Sequence, residues 1–233
     1  MFSSISSAFR FRFIMILSVI LLAVTLGSAQ AQTNARCTFK LFQLYGTNGQ
    51  GDRTLGIDRY GTVVGQALFP HAKSERGFIR FANGGVKYYR PPHSVFTTIT
   101  GQNDNGVIVG EYAPANFPEG FMRNGSTFTS IVHAKSGSPY GTAVNGVNKL
   151  NTVVGYYIDN INNYKARGFE RYSSGVYAAL DYPNGTGTVP MGINDSGTVV
   201  GFFTTPKLRS MASFTTTVHG QRWITLILPE RRN

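Results

Sequence analysis

The side chains that could carry chemistry in this chain are four histidines, one cysteine and eleven acids. The histidines occupy unrelated places in the sequence, and no two of them are spaced one helical turn apart. Structural and catalytic zinc sites need histidine and cysteine in closely spaced sets. The sequence therefore predicts no metal, no cofactor and no catalytic residue among His71, His93, His133 and His219.

Two segments rich in asparagine and aspartate are the candidates for a calcium site. They read "NDNG" at 103–106 and "NDSG" at 194–197. A calcium loop supplies several oxygen ligands at regular spacing and closes with an acid. The two related segments, "DRYG" and "NKLN", place Arg59 and Lys149 where ligands would stand. This substitution argues against a repeated metal site.

No serine or glycine motif of a known catalytic type is present. "SSGVY" and "NDSGT" lack the G-x-S-x-G elbow of a serine nucleophile. "GTNGQG" at 46–51 precedes no predicted helix, which a phosphate-binding loop requires. Paired carboxylates of the glycosidase type stay open, because ten of the acids could meet in space although the sequence marks no pair. These acids are Asp52, Asp58, Glu75, Asp104, Glu111, Glu119, Asp159, Glu170, Asp181 and Asp195.

The Asx-rich segments are four near-copies of one motif: "GIDRYGTVVG", "GQNDNGVIVG", "GVNKLNTVVG" and "GINDSGTVVG". They begin at Gly56, Gly101, Gly146 and Gly192, which are 45, 45 and 46 residues apart. A small residue followed by phenylalanine comes after each motif, and a further aromatic strand comes after that. Landmarks in a fixed order predict internal repeats. The predicted units span approximately 56–100, 101–145, 146–191 and 192–233.

The motif has the composition of a tight turn. Its third residue is always Asx, whose short side chain bonds to backbone amides ahead of it. Three residues later comes glycine or, once, asparagine, the residue types that enter the left-handed region at least cost. We expect turn-forming Asx residues at Asp58, Asn103, Asn148 and Asn194, and positive φ at Gly61, Gly106, Asn151 and Gly197. These roles are structural rather than catalytic.

Each unit is composed of short strands. Runs of β-branched and aromatic residues are separated by glycine, asparagine, aspartate or proline, and no helical period is sustained beyond the N-terminal segment. About four strands in a repeat of this length is the size of a propeller blade. The sequence predicts an all-β repeat protein, a small β-propeller-like ring of four four-stranded blades. The count becomes five if an extra N-terminal strand predicted over 37–45 belongs to a partial blade.

The N-terminal segment has the order of a secretory signal peptide. Arg10 and Arg12 precede an apolar run that is short for a spanning helix, and Ala29-Gln30-Ala31 fits a cleavage site. An uncleaved membrane anchor is the alternative, whereas Arg36 before Cys37 argues against lipid attachment. We expect a signal peptide over 1–31, cleavage near Ala31, and a single β-repeat domain over 32–233. That domain would be secreted or periplasmic, with no transmembrane segment after cleavage.

The chain is strongly basic. Two of its 22 lysines and arginines lie in the predicted signal peptide, so 20 bases face 11 acids afterwards and the net charge is +9. A charge of this sign favours anionic partners. The bases are scattered singly, so nucleic acid is not an expected partner. A single cysteine allows no internal disulfide.

With these motifs, the chain resembles the bacterial extracellular repeat proteins called the HAF family. The repeat of that family pairs "G-I-N-x-x-G-x-V-V-G" with a downstream "H-A-F". Here the places of "H-A-F" hold "RGF", "EGF", "RGF" and "ASF", so the phenylalanine is kept and the histidine is absent. The resemblance covers Gly56 to about Leu228. It implies export and a repeat fold, and it implies no established reaction.

We therefore expect a binding or interaction module rather than an enzyme. The basic charge and the many tyrosines favour a glycan or an anionic cell-surface polymer as the ligand, with unidentified binding residues. The alternative is a polysaccharide-directed hydrolase or lyase on a propeller scaffold. A third interpretation is a structural component of the cell surface.

Overall fold

The computed structural model consists of strands and turns throughout the residues that it describes. These are 39–44, 46–47, 51–69, 74–114, 117–136, 141–159, 161 and 164–206, with the backbone alone for 209–217 and 220–224. The chain divides into a unit that ends at Phe42 and a unit that starts at Gln43, and all the strands belong to the second. The predicted signal peptide and Cys37 lie outside the described residues. Within these ranges, we find no helix of the length and apolarity that a membrane crossing requires.

The strands form four antiparallel sheets, and each sheet takes four consecutive strands in sequence order. Sheet 1 contains β1 (Arg53–Ile57), β2 (Val63–Phe69), β3 (Ser74–Arg80) and β4 (Val86–Tyr89). Sheet 2 contains β5 (Thr97–Gln102), β6 (Ile108–Tyr112), β7 (Glu119–Asn124) and β8 (Thr127–Ile131). Sheet 3 contains β9 (Thr142–Val147), β10 (Val153–Asp159), β11 (Lys165–Arg171) and β12 (Tyr177–Ala179). Sheet 4 contains β13 (Gly187–Ile193), β14 (Val199–Thr204), β15 (Arg209–Thr217) and β16 (Gly220–Ile224).

The all-β class and the four strands in each repeat agree with the sequence, whereas the repeat boundaries shift. Each motif joins the first strand of a sheet to the second. A unit boundary at Gly56 or Gly101 therefore falls inside the first strand of the sheet. The sheets instead start a few residues upstream, at Arg53 and its equivalents. Of the predicted N-terminal strand over 37–45, the described residues 39–44 lie outside any strand.

The fourth sheet departs from the register of the other three. In sheets 1 to 3 the last motif glycine pairs with the phenylalanine of the "G-F" segment, as Gly65 does with Phe78. In sheet 4 Gly201 pairs with Ala212, so Phe214 lies two residues away from the equivalent position. In sheet 1 the second strand continues to Phe69, four residues past Gly65, whereas in sheet 4 it ends at Thr204, three residues past Gly201. The earlier reversal places Ala212 opposite Gly201.

A bulge in the first strand explains the glycine that ends each motif. The register of β5 on β6 shifts between Ile99 and Gly101, so one extra residue is accommodated opposite Gly110. A Cβ on Gly110 would collide with the carbonyl oxygen of Thr98. A Cβ on the equivalent glycine of each other sheet would also collide with a backbone carbonyl oxygen. These glycines are Gly65, Gly155 and Gly201. The motif therefore ends in glycine because the bulged strand passes too close for any side chain.

Consecutive sheets pack face to face around separate cores. Val64 of sheet 1 packs with Ile99 and Phe121 of sheet 2. Between sheets 2 and 3, one cluster joins Val109 to Val144, among others. Small residues permit this approach, since a Cβ on Gly120 would lie 2.7 Å from a methyl of Val144. Because the glycine of the "G-F" segment has no side chain, the first strand of the following sheet can pack directly against it.

Gly110→Ala is expected to lower the free energy of unfolding by about 3 kcal/mol or more, because β5 must move away from the new methyl group. Gly106→Asn is the control, since Gly106 has positive φ with open space around it and Asn151 fills the equivalent position. The control should change stability by less than about 0.5 kcal/mol. Urea unfolding of both variants measures the difference, and equal losses would contradict the steric explanation.

Candidate functional site

Each motif forms a five-residue corner closed by four hydrogen bonds. In the second corner, Asn103 Oδ1 accepts the N–H groups of Asn105 and Val107, both at 3.0 Å. The Asn103 N–H donates to Val107 O, and the Gly106 N–H donates to Asn103 O. The same four bonds close the corners that begin at Asp58, Asn148 and Asn194, at 2.8–3.2 Å. The Asx residues therefore have the turn-forming role that the sequence predicts.

The fourth residue of each corner has the left-handed backbone that the motif requires. The φ angles are +80° at Gly61, +77° at Gly106, +59° at Asn151 and +81° at Gly197. These values confirm the prediction of positive φ at all four positions. In the third copy asparagine replaces glycine, and the hydrogen bonds around it are the same. The repeats therefore share a backbone conformation at this position rather than a residue type.

The corners bond to one another along the stack of sheets. Asn103 Nδ2 donates to Asn148 O at 2.9 Å and to Asn151 Oδ1 at 3.0 Å. Charged residues connect the first corner to the second and the third corner to the fourth. The backbone N–H and the side chain of Arg59 both bind the Asp104 carboxylate, and those of Lys149 bind Asp195 in the same way. The two cations that argue against calcium thus pair with the following corner.

Asn103→Ala is expected to lower the free energy of unfolding by about 3 kcal/mol, because it leaves two amides and a carbonyl without their partner inside the protein. Asn103 is buried, whereas Asn194 is exposed in the last corner. Asn194→Ala, the matched control, should cost about 1 kcal/mol. Thermal unfolding of both proteins tests the difference. Equal destabilisation would mean that the bonds between corners add nothing.

An arginine row lies at the same end of the sheets as the corners. Arg80 and Arg171 end the third strand of their sheets, and Arg123 lies one residue before the end of its own. Each of the three pairs with the first residue after a corner. All three side chains are half-buried. The prediction that the bases are scattered singly does not account for this row. Its signal is the arginine two residues after phenylalanine in "GFIR", "GFMR" and "GFER", which the fourth copy lacks.

Aromatic rings hold the guanidinium groups of two of these arginines. The Cζ atom of Arg123 lies 5.0 Å from the ring centre of Tyr89, in the preceding sheet, and that of Arg171 lies 5.8 Å from the ring centre of Tyr177. Burial raises the pKa of both tyrosines, and the neighbouring arginines oppose this effect. A guanidinium over a ring keeps its N–H edge as a bidentate donor for carboxylate or phosphate. The row thus presents fixed cations at a regular interval.

A second group of charges lies at the opposite end of sheet 3 from its corner. Arg167 lies between two carboxylates, with Nε 3.8 Å from Asp159 and a terminal nitrogen 3.4 Å from Asp181. Asp159 is 3% exposed and also accepts the N–H of Ile161, while Asp181 accepts that of Gly168. Burial raises the pKa of Asp181, and Arg167 opposes that shift. Two of the ten candidate acids thus share one arginine.

His133 extends this charge cluster with an aromatic stack. Its ring lies parallel to that of Tyr157 at 3.8 Å between centres. Its Nδ1 accepts the N–H of Lys135 at 3.3 Å. Burial lowers the pKa of His133, Lys135 lowers it further, and Asp159 opposes both. The balance of these effects lowers the pKa of His133 and favours the neutral imidazole. Of the other histidines, His93 is exposed, and residues 71 and 219 lie outside the described ranges.

Within the described ranges, no three His, Cys, Asp or Glu side chains are grouped so that they could hold a metal ion. A shallow cleft lined by Gln43, Leu44, Gly46 and Thr47 contains neither an acid nor a histidine among those residues. The charge cluster of sheet 3 has the residue types of an acid–base site, but Asp159 is buried and bound. The arginine row is the set of functional side chains with the clearest repeat.

Comparison with known proteins leaves the family open. The chain matches no protein-family model, and no curated protein has a similar sequence. The likeness to the HAF repeat accordingly rests on the motif and on the "G-F" segments.

The lowered pKa of His133 makes the free energy of unfolding depend on pH. Its pKa in the folded protein is below the ordinary value of about 6.5. Its contribution to stability is therefore complete above about pH 6.5 and is lost as the pH falls toward the folded pKa. We expect His133→Gln to reduce the drop in urea midpoint between about pH 7.5 and 5.5. His93→Asn, at an exposed histidine with positive φ, should leave that drop unchanged. The opposite pattern would contradict this origin.

Proposed function

We propose that the chain is an exported repeat protein of the HAF type that binds an anionic glycan or cell-surface polymer along its arginine row. The observation that carries this proposal is the recurrence of Arg80, Arg123 and Arg171 at one strand position, at one end of three successive sheets. A polymer repeats its charged groups along its length, so a protein that repeats its cations can bind several of them at once.

The local charge balance supports the arginine row as the binding surface. Arg59 and Lys149, in the neighbouring corners, are each paired with an aspartate. Arg123 and Arg171 lie over tyrosine rings, and neither forms an ion pair with a described acid. A cation without a counter-charge contributes most to the field that attracts an anionic partner. The charges of Arg123 and Arg171 are thus available to a ligand.

We propose further that the four sheets are blades of an open propeller-like ring, with a gap between sheet 4 and sheet 1 and with the first strand of each sheet innermost. The close approach of these strands supports this arrangement. A Cβ on Gly56 would lie 3.3 Å from the Cα of Gly101, and a Cβ on Gly146 would lie 3.0 Å from the Cα of Gly192. Radial sheets converge in this way at the axis of a propeller.

Export is supported by the signal-peptide pattern over 1–31 and by the basic charge. A secreted or periplasmic protein meets anionic wall and capsule polymers directly, which fits the proposed ligand.

The second candidate is a polysaccharide hydrolase or lyase, and the charge cluster of sheet 3 favours it. Asp181, His133 and Arg167 supply an acid, a neutral base and a cation within one part of the molecule. Against it, Asp159 is buried and both carboxylates are bound to Arg167. A binding role needs no such exposed acid, so we favour binding.

The test uses polygalacturonate as the anionic probe and dextran as the neutral one. Arg123→Gln with Arg171→Gln should weaken polygalacturonate binding by about tenfold, the effect of losing roughly 1.4 kcal/mol of charge-assisted contact. Arg59→Gln with Lys149→Gln removes the same charge from paired sites and should weaken it far less. Binding should also fall between about 50 and 300 mM NaCl, as the Debye length shortens from roughly 14 to 6 Å.

Isothermal titration calorimetry with the protein expressed from its full coding sequence gives these affinities, and circular dichroism confirms that the variants fold. Equal losses in the two double variants would show a general charge effect and no dedicated row. Cleavage of polygalacturonate, abolished by Asp181→Asn, would favour the enzyme.

A further inference from the structure

The last sheet exposes an apolar position that the other sheets bury. Val64, Val109 and Val154 occupy the second place in β2, β6 and β10, and all three are completely buried against the following sheet. Val200 occupies the same place in β14 and is 48% exposed. The motif places a valine here in every copy, and among the described residues no further sheet covers the valine of the fourth sheet.

A second apolar side chain shares this open face of sheet 4, which we call the forward face. Phe202 follows Val200 by two residues, which places both on one side of β14, and it is 39% exposed. Contiguous exposed apolar groups of this kind mark interaction surfaces.

The first sheet has the opposite open face, which we call the rear face. Ile57 ends β1 and is 69% exposed, whereas Val147, its equivalent in sheet 3, is buried against sheet 2. Thr54 is also exposed. Its equivalents Ile99 and Val144 are completely buried against the preceding sheet. Among the described strands, none precedes and covers the first strand of sheet 1, whereas a preceding sheet covers the first strand of each of the other sheets.

We propose that the forward face of sheet 4 binds the rear face of sheet 1 in a second copy of this chain, head to tail. The three junctions inside the chain show what covers each kind of face. A forward face is covered by the rear face of another copy of the same repeat, and a second chain carries that rear face uncovered. Val200 and Phe202 on one face and Ile57 on the other are exposed apolar side chains, so their contact removes hydrophobic surface from water.

This contact joins two different surfaces, so it is heterologous and can close a ring through two chains or continue into a longer assembly. The proposal rests on the repeat fold and goes beyond polymer binding. The head-to-tail contact would place the corners of successive chains at the same end of the assembly, so the arginine row would continue from one chain to the next.

The test measures the mass of the assembly by sedimentation velocity, over a range of concentrations of protein expressed from its full coding sequence. The wild-type protein should be larger than one chain. Val200→Glu places a charge on the forward face and Ile57→Lys places one on the rear face, which should prevent the apolar contact. Each variant alone should therefore sediment as a single chain. An equimolar mixture should form a two-chain complex, because the first variant keeps its rear face and the second keeps its forward face.

Leu150→Glu is the matched control, since Leu150 is 63% exposed in the third corner and lies on neither open face. It should assemble as the wild type does. Circular dichroism and thermal unfolding confirm that all the variants fold. A wild-type mass of one chain at every concentration would overturn the proposal. So would assembly of Ile57→Lys alone, which would mean that forward faces pair with each other. Polymer binding by a single-chain protein would leave the proposed function standing.

Discussion

The structure depends on one short-range interaction, in which an Asx side-chain oxygen binds two backbone N–H groups ahead of it. In the second corner this oxygen belongs to Asn103 and holds Asn105 and Val107. The bonds fix the reversal between the first and second strands of a sheet. Because the Nδ2 group of the same residue bonds to the third corner, one side chain also joins two repeats. Strand reversal and repeat stacking thus have a common origin.

The rest of the motif follows from this corner. Its last glycine faces the bulge of the first strand, where a side chain would collide with a carbonyl oxygen. The valine before that glycine points to the following sheet and is buried wherever such a sheet exists. The residues that could have formed a metal loop are used to build and join repeats. The possible chemistry therefore lies elsewhere, on residues outside the motif.

Two groups of charged residues outside the motif differ in how their charges are used. In sheet 3, Asp159 and Asp181 are bound to Arg167, so the charges of that cluster are largely satisfied inside the protein. At the corner end, Arg123 and Arg171 lie over aromatic rings instead. An arginine that is held by a ring keeps its charge for a partner. This contrast is the physical basis for favouring a binding role over a catalytic one.

The sequence by itself determined the repeat, the all-β class and the positive φ of Gly61, Gly106, Asn151 and Gly197, because each depends on residues close together in the chain. Only the tertiary structure decided which charges meet. Arg167 reaches Asp181 across a strand pairing, and the three arginines align because their hairpins share one register. Tertiary packing likewise decided that Val200 is exposed although its motif matches the buried copies. Burial depends on whether a neighbouring sheet is present, and no local pattern encodes that.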